Sequence, residues 1–195
     1  IPFSRLDPET GIPLFMNADG EETTDIYMQG TETEFLKFEG TVDPKITGGF
    51  NTTLRYKNFS LNAFFTYQFG SKIRLTPAYA AQYSDLDAMS NEFKNRFLMT
   101  GDDLSPAITD WVHQSISLGS NNYPYVNYNY STARVVKGDF IRLKTVSLNY
   151  DFSPALVSKS RFFKTAGIRL TVKDPWLLYS DKALNGQDPE FFNTG

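Results

Sequence analysis

One stretch of alternating residues constrains the fold more than any other feature of this chain. From Phe59 to Phe69 every odd position is apolar, whereas most even positions are polar or small. A period of two predicts a β-strand with one apolar and one polar face. The run covers about eleven residues, the length that a tilted strand needs to cross a bilayer. Strands of soluble sheets are usually nearer to about five or six residues.

The segment before this strand alternates in the same phase. From Ile46 to Tyr56, apolar or small residues take one face and mostly polar residues take the other. A two-residue turn at positions 57–58 places Tyr56 opposite Phe59, so the two apolar faces coincide. Aromatic residues at a turn end are typical of a barrel girdle. The hairpin alone fits a membrane barrel and an ordinary β-sandwich about equally.

Two further strands are predicted later in the chain, at residues 139–152 and 167–179. Both carry apolar residues at alternate positions. Near the start of the first, Ile141 and Leu143 fall out of phase with the apolar positions that follow. That shift predicts a β-bulge or a protein-covered stretch near the rim. The predicted fold class is therefore all-β and antiparallel, with about four long strands.

The connections between the predicted strands have two sizes. Short connections at 57–58 and 153–166 alternate with long ones elsewhere. Outer-membrane barrels combine short periplasmic turns with long extracellular loops. We therefore expect extracellular loops at 1–44 and 76–138, a membrane hairpin at 45–75, a second membrane strand pair at 139–179, and the start of the last extracellular loop at 180–195.

The long loop at 76–138 is predicted to carry a short helix. Ser84 can cap it, with Asp87 three positions on, and apolar residues follow at helical spacing. Asp85, Asp87, Asp102 and Asp103 could indicate calcium, an ion that prefers oxygen ligands. No loop matches the calcium-loop template, so capping and turn formation are the favoured roles and no metal site is predicted.

Composition excludes several function classes. The chain has no cysteine and a single histidine, His113, which removes thiol chemistry and leaves little basis for a histidine metal cluster. Its net charge is −3, so there is no basic footprint for nucleic acid. No apolar run approaches the length of a transmembrane helix. Nucleophile-elbow and phosphate-loop motifs are also missing from the sequence, so we expect no enzyme activity and no cofactor.

Several motifs resemble the late barrel of SusC/RagA-type TonB-dependent transporters. The main ones are Asp43-Pro-Lys-Ile-Thr-Gly-Gly-Phe50, Leu54-Arg-Tyr-Lys-Asn-Phe-Ser-Leu61 and Gly138-Asp-Phe-Ile-Arg-Leu-Lys-Thr-Val-Ser-Leu-Asn-Tyr150. Weaker similarities lie at 6–13, 101–106 and 186–190. Their order and spacing match the family over nearly the whole chain. One departure is Lys173-Asp-Pro-Trp176, where the family commonly has an Asn-Leu pair. Because Pro175 cannot donate to a strand ladder, we expect that strand end to be interrupted or at the rim.

The resemblance implies a role in transport. The chain would be the C-terminal part of a barrel of about 22 strands, without the plug and the closing strand. The complete protein would import a large nutrient, an oligosaccharide or a peptide, across a Bacteroidetes-like Gram-negative outer membrane. A SusD-like surface lipoprotein and the TonB complex, which engages the N-terminal part, would be its partners. A passive barrel or adhesin and a soluble β-sandwich binding module, such as a carbohydrate-binding one, remain open as alternatives.

Alternation also assigns residues to the two sides of such a wall. The expected lipid-facing residues are Phe50, Leu54, Leu61, Phe65, Phe69, Val146, Leu148, Leu170 and Val172. The expected lumen-facing residues are Thr53, Arg55, Ser60, Asn62, Phe64, Thr66 and Gln68. Phe64 is the exception on this polar face. It could stack on a ligand, but packing against an internal plug or loop is the favoured interpretation.

The long loop supplies a further set of candidates for contact with a ligand or with the lipoprotein. They are Trp111, His113, Tyr123, Tyr125, Tyr128 and Tyr130. Tyrosine rings among asparagine amides could bind a sugar by stacking and hydrogen bonding. Aromatic residues are equally favoured at protein interfaces. Packing of the loop on its neighbours or on the lipoprotein is the favoured alternative.

Overall fold

In a computed structural model of the chain, the structure describes residues 1–24, 26, 33–79, 124–159 and 162–191. The elements in these residues are β1 (Phe3–Leu6), β2 (Pro13–Met16), β3 (Glu22–Thr23), β4 (Ile46–Tyr56), β5 (Phe59–Phe69), β6 (Lys72–Arg74), α1 (Pro124–Asn129), β7 (Val135–Lys137), β8 (Phe140–Asp151), α2 (Pro154–Val157) and β9 (Gly167–Ser180). Single 3-10 turns lie at Thr132–Arg134 and Lys182–Leu184. Among these described segments, no helix has the length and apolar character needed to cross a membrane. The helix expected from Ser84 lies outside the described residues.

A four-stranded antiparallel sheet in the order β4-β5-β8-β9 contains all four long strands that the sequence predicts. The hairpin of β4 and β5 pairs without a shift from Ile46 opposite Phe69 to Tyr56 opposite Phe59. Its two-residue turn holds Lys57 at a positive φ of 51°, as tight hairpin turns require. The predicted hairpin, its turn and the agreement in phase of its two faces are therefore confirmed.

A β-bulge in β8 explains why Ile141 and Leu143 are out of phase in the sequence. Along β5, Phe64 pairs with Thr145 but Phe65 pairs with Leu143, so Lys144 is an extra residue. An extra residue reverses the faces of everything beyond it. Leu143 and Ile141 thereby return to the face that carries Phe65 and Tyr67, and the predicted bulge is confirmed.

Strand β9 continues through Pro175 and ends at Ser180. The pairing of Leu143 with Trp176 and of Thr145 with Lys173 leaves Asp174 and Pro175 beside the β8 bulge. Asp174 has a positive φ of 48°, and its carboxylate lies 3.0 Å from Lys144 Nζ. A bulge tolerates proline because no ladder N–H is needed there. The interruption expected at Pro175 is thus a local irregularity and does not end the strand.

The chain divides into two compact units, and the four-stranded sheet belongs to the one formed by Thr41–Lys72 and Lys137–Pro189. In the other unit, β1, β2 and β3 form a small antiparallel sheet in a region expected to be a loop. Its core contains Ile1, Phe15, Ile26 and Tyr128, the last from α1. Strands of two to four residues are too short to show a measurable period of two, so alternation could not predict them.

Candidate functional site

One face of the four-stranded sheet is apolar and uncovered by the residues that the structure describes. A row of four leucines crosses the middle of this face, one from each strand and each paired with the next: Leu54, Leu61, Leu148 and Leu170. Leu54 and Leu170, on the two outer strands, are each 64% exposed. The remaining residues expected to face lipid share this face: Phe50 stacks on Phe65 with centroids 4.5 Å apart, Val146 pairs with Val172, and Phe69 pairs with Ile46. The structure therefore places all nine on one surface.

Aromatic side chains lie at the end of this apolar face that is nearer the hairpin turn. Phe59 and Tyr150 pair across strands with ring centroids 4.6 Å apart. Phe152, just beyond β8, meets the Tyr150 ring edge-on at 5.1 Å. Tyr56 pairs with Phe59 from the other side and is exposed. These four residues form a continuous aromatic row at one end of the strands.

A second group of aromatic residues lies at the opposite end of the same face. Tyr67, Phe69 and Tyr179 form a chain of rings with centroid distances of 6.0 and 6.4 Å. Trp176, opposite Leu143, adds an exposed indole. Phe59 and Phe69 are ten residues apart, roughly 34 Å along the strand. With a strand tilt of about 40°, the height is roughly 26 Å, close to the apolar band of outer-membrane barrels.

The opposite face of the sheet carries ladders of polar side chains that hydrogen-bond across strands. In one ladder, Thr53 Oγ1 donates to Asn62 Oδ1 at 2.7 Å. The same row continues to Ser147 and Thr171, whose hydroxyl oxygens lie 2.9 Å apart. These bonds fix the positions of the side chains along one surface, which suits the recognition of hydroxyls and amides.

A neighbouring ladder brings positive charge to the same face. It contains Arg55, Ser60, Asn149 and Arg169 in that order across the four strands. Arg169 Nε donates to Asn149 Oδ1 at 2.5 Å, and Asn149 Nδ2 donates to Ser60 Oγ at 3.2 Å. Lys173 is exposed on the same face. This surface can attract carboxylates as well as bind neutral polar groups.

Sequence reasoning found only the hairpin half of this polar face. Its β8 and β9 members were missed: Ser147, Asn149, Arg169, Thr171 and Lys173. The signal was present, since each alternates with an apolar residue already assigned to the other face. Of the residues that were predicted, Thr66 and Gln68 pair with Arg142 and Phe140, which places them at the end of the face away from the hairpin turn.

That end of the polar face is covered by the segment after β9. Arg142 is buried, and its guanidinium lies 2.5 Å from the Asp188 carboxylate and 6.0 Å from the Phe140 ring centroid. Leu184 and Pro189, in the same segment as Asp188, are buried as well. The accessible part of the polar face is therefore the half nearer the hairpin turn.

No group of three or more metal-ligating side chains occurs in the described ranges.

Phe64, the aromatic exception on the polar face, packs on the neighbouring strand. A Cβ placed at Gly49 would lie 3.1 Å from two atoms of the Phe64 ring. The ring therefore covers the glycine of β4, while 40% of the residue stays exposed. This intra-sheet packing is a third arrangement, distinct from contact with a ligand or with an internal plug.

The loop candidates separate into three groups. Trp111, His113 and Tyr123 lie outside the described residues. Tyr125 and Tyr128 are buried, with rings 5.1 and 5.8 Å from the ring of Tyr79. Tyr130 is 41% exposed, and the Arg74 guanidinium lies 5.2 Å from its ring centroid. Among the three described candidates, Tyr130 alone offers an accessible ring, and the packing alternative describes the other two.

Comparison with known proteins gives no matching family model. Two TonB-dependent receptors of Formosa agariphila are similar in sequence. One is 24% identical over 155 residues, which are 76% of this chain and 13% of the receptor. The other is 28% identical over 189 residues, which are 94% of this chain and 16% of the receptor. The chain thus spans less than a fifth of the length of these relatives.

Solved structures of the RagAB peptide importer share the fold. The closed-closed and open-open states each give a TM-score of 0.62 at 20% identity, and a further RagAB peptide transporter structure gives 0.65 at the same identity. Each match covers 97% of this chain and 19 to 20% of the importer chain. The sequence relatives and the fold together confirm the resemblance of this chain to part of a SusC/RagA-type TonB-dependent receptor.

Proposed function

We propose that the four-stranded sheet is barrel wall in an outer-membrane transporter, with its apolar face against lipid and its polar face toward the lumen. The uncovered apolar face carries this proposal. It extends over strands of 11 to 14 residues and ends in aromatic residues on both sides. Soluble monomers rarely expose an apolar surface of that size. A soluble sandwich would cover it with a second sheet about 10 Å away.

The transport activity that we propose is TonB-dependent import of a large nutrient. The similarity to TonB-dependent receptors supports energised uptake, and the similarity to the RagAB peptide importer supports an oligopeptide or a comparably large molecule. The basic, hydrogen-bonded half of the polar face suits a substrate rich in carboxylates, amides or hydroxyls. A SusD-like lipoprotein and the TonB complex are the proposed partners.

A charged and an apolar substitution at Val146 together test the lipid-facing assignment. Val146 lies near mid-height of the apolar face, where an arginine in lipid costs about 2–4 kcal/mol. A larger apolar residue costs little there, because no packed core opposes it. We expect Val146→Arg to destabilise the full-length protein in detergent micelles and Val146→Phe to leave its urea midpoint near wild type. Ser147→Arg, on the other face of the same strand, is the matched control.

A buried sandwich core would give a different pattern. Overfilling a packed core costs about 1–3 kcal/mol, so both Val146 substitutions would then destabilise. That result, together with a folded protein in the absence of detergent, would reject the membrane wall in favour of the sandwich. Heat-modifiable electrophoretic mobility of outer-membrane fractions gives an independent check on folding in the membrane.

Uptake itself is tested with the full-length protein in cells. Cells expressing it are given mixed oligopeptides or mixed oligosaccharides, and depletion of each component is followed by mass spectrometry. The expected result is depletion of one class that stops when the TonB gene is deleted. Equal depletion with and without TonB would reject energised import and support a passive barrel.

A further inference from the structure

The connection between β8 and β9 exposes large apolar side chains that the proposed wall does not use. Phe162 is 90% exposed, Phe163 is 64% exposed, and Leu156 of α2 is also exposed. The connection covers residues 152–166, beside the hairpin turn of β4 and β5. Two adjacent phenylalanines held in water are unfavourable, since burial of each ring is worth about 1.5–3 kcal/mol in folding. A surface that covers them is therefore expected.

The same connection is positively charged. Between residues 152 and 166 the sequence has three basic residues and no acidic one. Lys159 and Lys164 are both exposed. The adjoining turn adds Lys57, whose ammonium lies 5.3 Å from the ring centroid of Tyr56. Apolar rings flanked by lysines are typical of segments that lie in the boundary between lipid tails and headgroups.

Hydrogen bonds hold this segment in place beside the aromatic row. Asn58 Nδ2 donates to the Asp151 carbonyl oxygen at 2.8 Å, and Asp151 N donates to the Asn58 carbonyl oxygen at 2.9 Å. Phe152 N donates to the Ala166 carbonyl oxygen at 3.0 Å, which closes the connection at its base. Buried Val157 anchors α2. The exposed rings therefore extend from a fixed base that is continuous with Tyr150 and Phe152.

We propose that the 152–166 connection is a bilayer-surface contact, with Phe162 and Phe163 inserted at the headgroup boundary and Lys159 and Lys164 bound to anionic phospholipid headgroups. This inference rests on the proposed membrane wall and extends it to the connection between two of its strands. Two observations select a bilayer as the occupant. The aromatic row of the apolar face runs directly into the connection, and the charge of the connection is complementary to anionic lipid.

Spin-label accessibility at Phe162→Cys tests the contact. The variant is made in the full-length protein with no other reactive cysteine and is reconstituted in phosphatidylcholine vesicles, with or without phosphatidylglycerol. We expect the label to collide more often with oxygen, which concentrates in lipid, than with a water-soluble nickel chelate. Leu61→Cys on the apolar face is the lipid reference, and Arg55→Cys on the polar face is the water reference.

The two references separate failure of this inference from failure of the membrane wall. If the label at 162 behaves like the one at Arg55 while Leu61 reports lipid, the connection does not touch the bilayer and the inference is wrong. If the label at Leu61 also reports water, the membrane wall is wrong as well. A label at 162 that is immobilised and unaffected by lipid composition would indicate a protein partner and would equally overturn the inference.

The charge component has its own test. Each basic residue near an anionic surface strengthens attraction about fivefold. Adding phosphatidylglycerol should therefore move the label at 162 deeper, and the Lys159→Gln/Lys164→Gln pair should remove most of that response. Lys173→Gln, an exposed lysine on the polar face, is the matched control and should leave the response intact. An unchanged response in the double variant would exclude headgroup binding by these lysines.

Discussion

A methyl group added at Gly49 should destabilise the four-stranded sheet more than one added at its neighbour Gly48. A Cβ at Gly49 would lie 2.9 Å from the backbone oxygen of Phe65 and 3.1 Å from the Phe64 ring. A Cβ at Gly48 would meet only the outer end of the Tyr67 side chain, with the hydroxyl at 2.6 Å. A side-chain end can rotate away, whereas a backbone oxygen in a paired strand cannot move without disturbing the ladder.

The magnitude follows from two opposing effects. Overpacking costs about 1–3 kcal/mol, and replacing glycine by alanine in an extended strand returns about 0.4–1 kcal/mol through the unfolded chain. For Gly49→Ala we therefore expect a net loss of about 1–2 kcal/mol. For Gly48→Ala the expected loss is below about 1 kcal/mol, because rotation of the ring of Tyr67 relieves most of the contact.

The assay is urea unfolding of the full-length protein in detergent micelles, followed by the loss of the folded band in unheated gels. Adding Tyr67→Ala removes both the hydroxyl and the ring carbons nearest to Gly48. In that background Gly48→Ala should cost little, whereas Gly49→Ala should keep its loss. Equal losses for the two single variants would refute this reasoning. Failure of Tyr67→Ala to discriminate between them would refute it too.

Three further predictions concern side chains that stabilise each of the two units separately. Asp188→Ala, which leaves buried Arg142 without its carboxylate, should expose the segment after β9 to trypsin, and Asp188→Asn should do so less because it keeps an acceptor. Two backbone N–H groups of the following turn hold the pKa of Asp7 below its usual 3.8. The protection of these two N–H groups from hydrogen exchange should therefore be complete at pH values above 3.8 and be lost as the pH falls through the lowered pKa. Asp7→Asn should remove this pH dependence. Asn129→Ala removes three hydrogen bonds to the backbone that follows β6 and should lower the stability of the unit that contains β1, β2 and β3 by about 1–3 kcal/mol in thermal unfolding.

How much of this structure the sequence predicts depends on the length of each pattern. Strands β4 and β5 alternate over eleven residues each, so their pairing and faces are predictable, although β5 ends at Phe69 and does not continue to residue 75. The face of Tyr179 is not predictable, because Leu178 is an extra residue in β9 and changes the phase of the strand just before Tyr179. Burial of Tyr125 and Tyr128 is also beyond sequence reasoning, since a run of tyrosines and asparagines does not show which rings meet a core.

The bulge at Lys144 is the device that lets β8 keep one apolar face despite its change of phase. Deleting Lys144 would leave an uninterrupted alternation in which Ile141, Arg142 and Leu143 keep their present faces, because Leu143 would then directly precede Thr145, as their partners on β5 are adjacent. The deletion also removes the ion pair with Asp174, which is worth at most about 1 kcal/mol. We therefore expect the deletion variant to assemble in the outer membrane. Deleting Ser158 from the exposed β8–β9 connection controls for the loss of one residue. Failure of the Lys144 deletion to assemble, when the Ser158 deletion assembles, would show that the bulge does more than accommodate one extra residue.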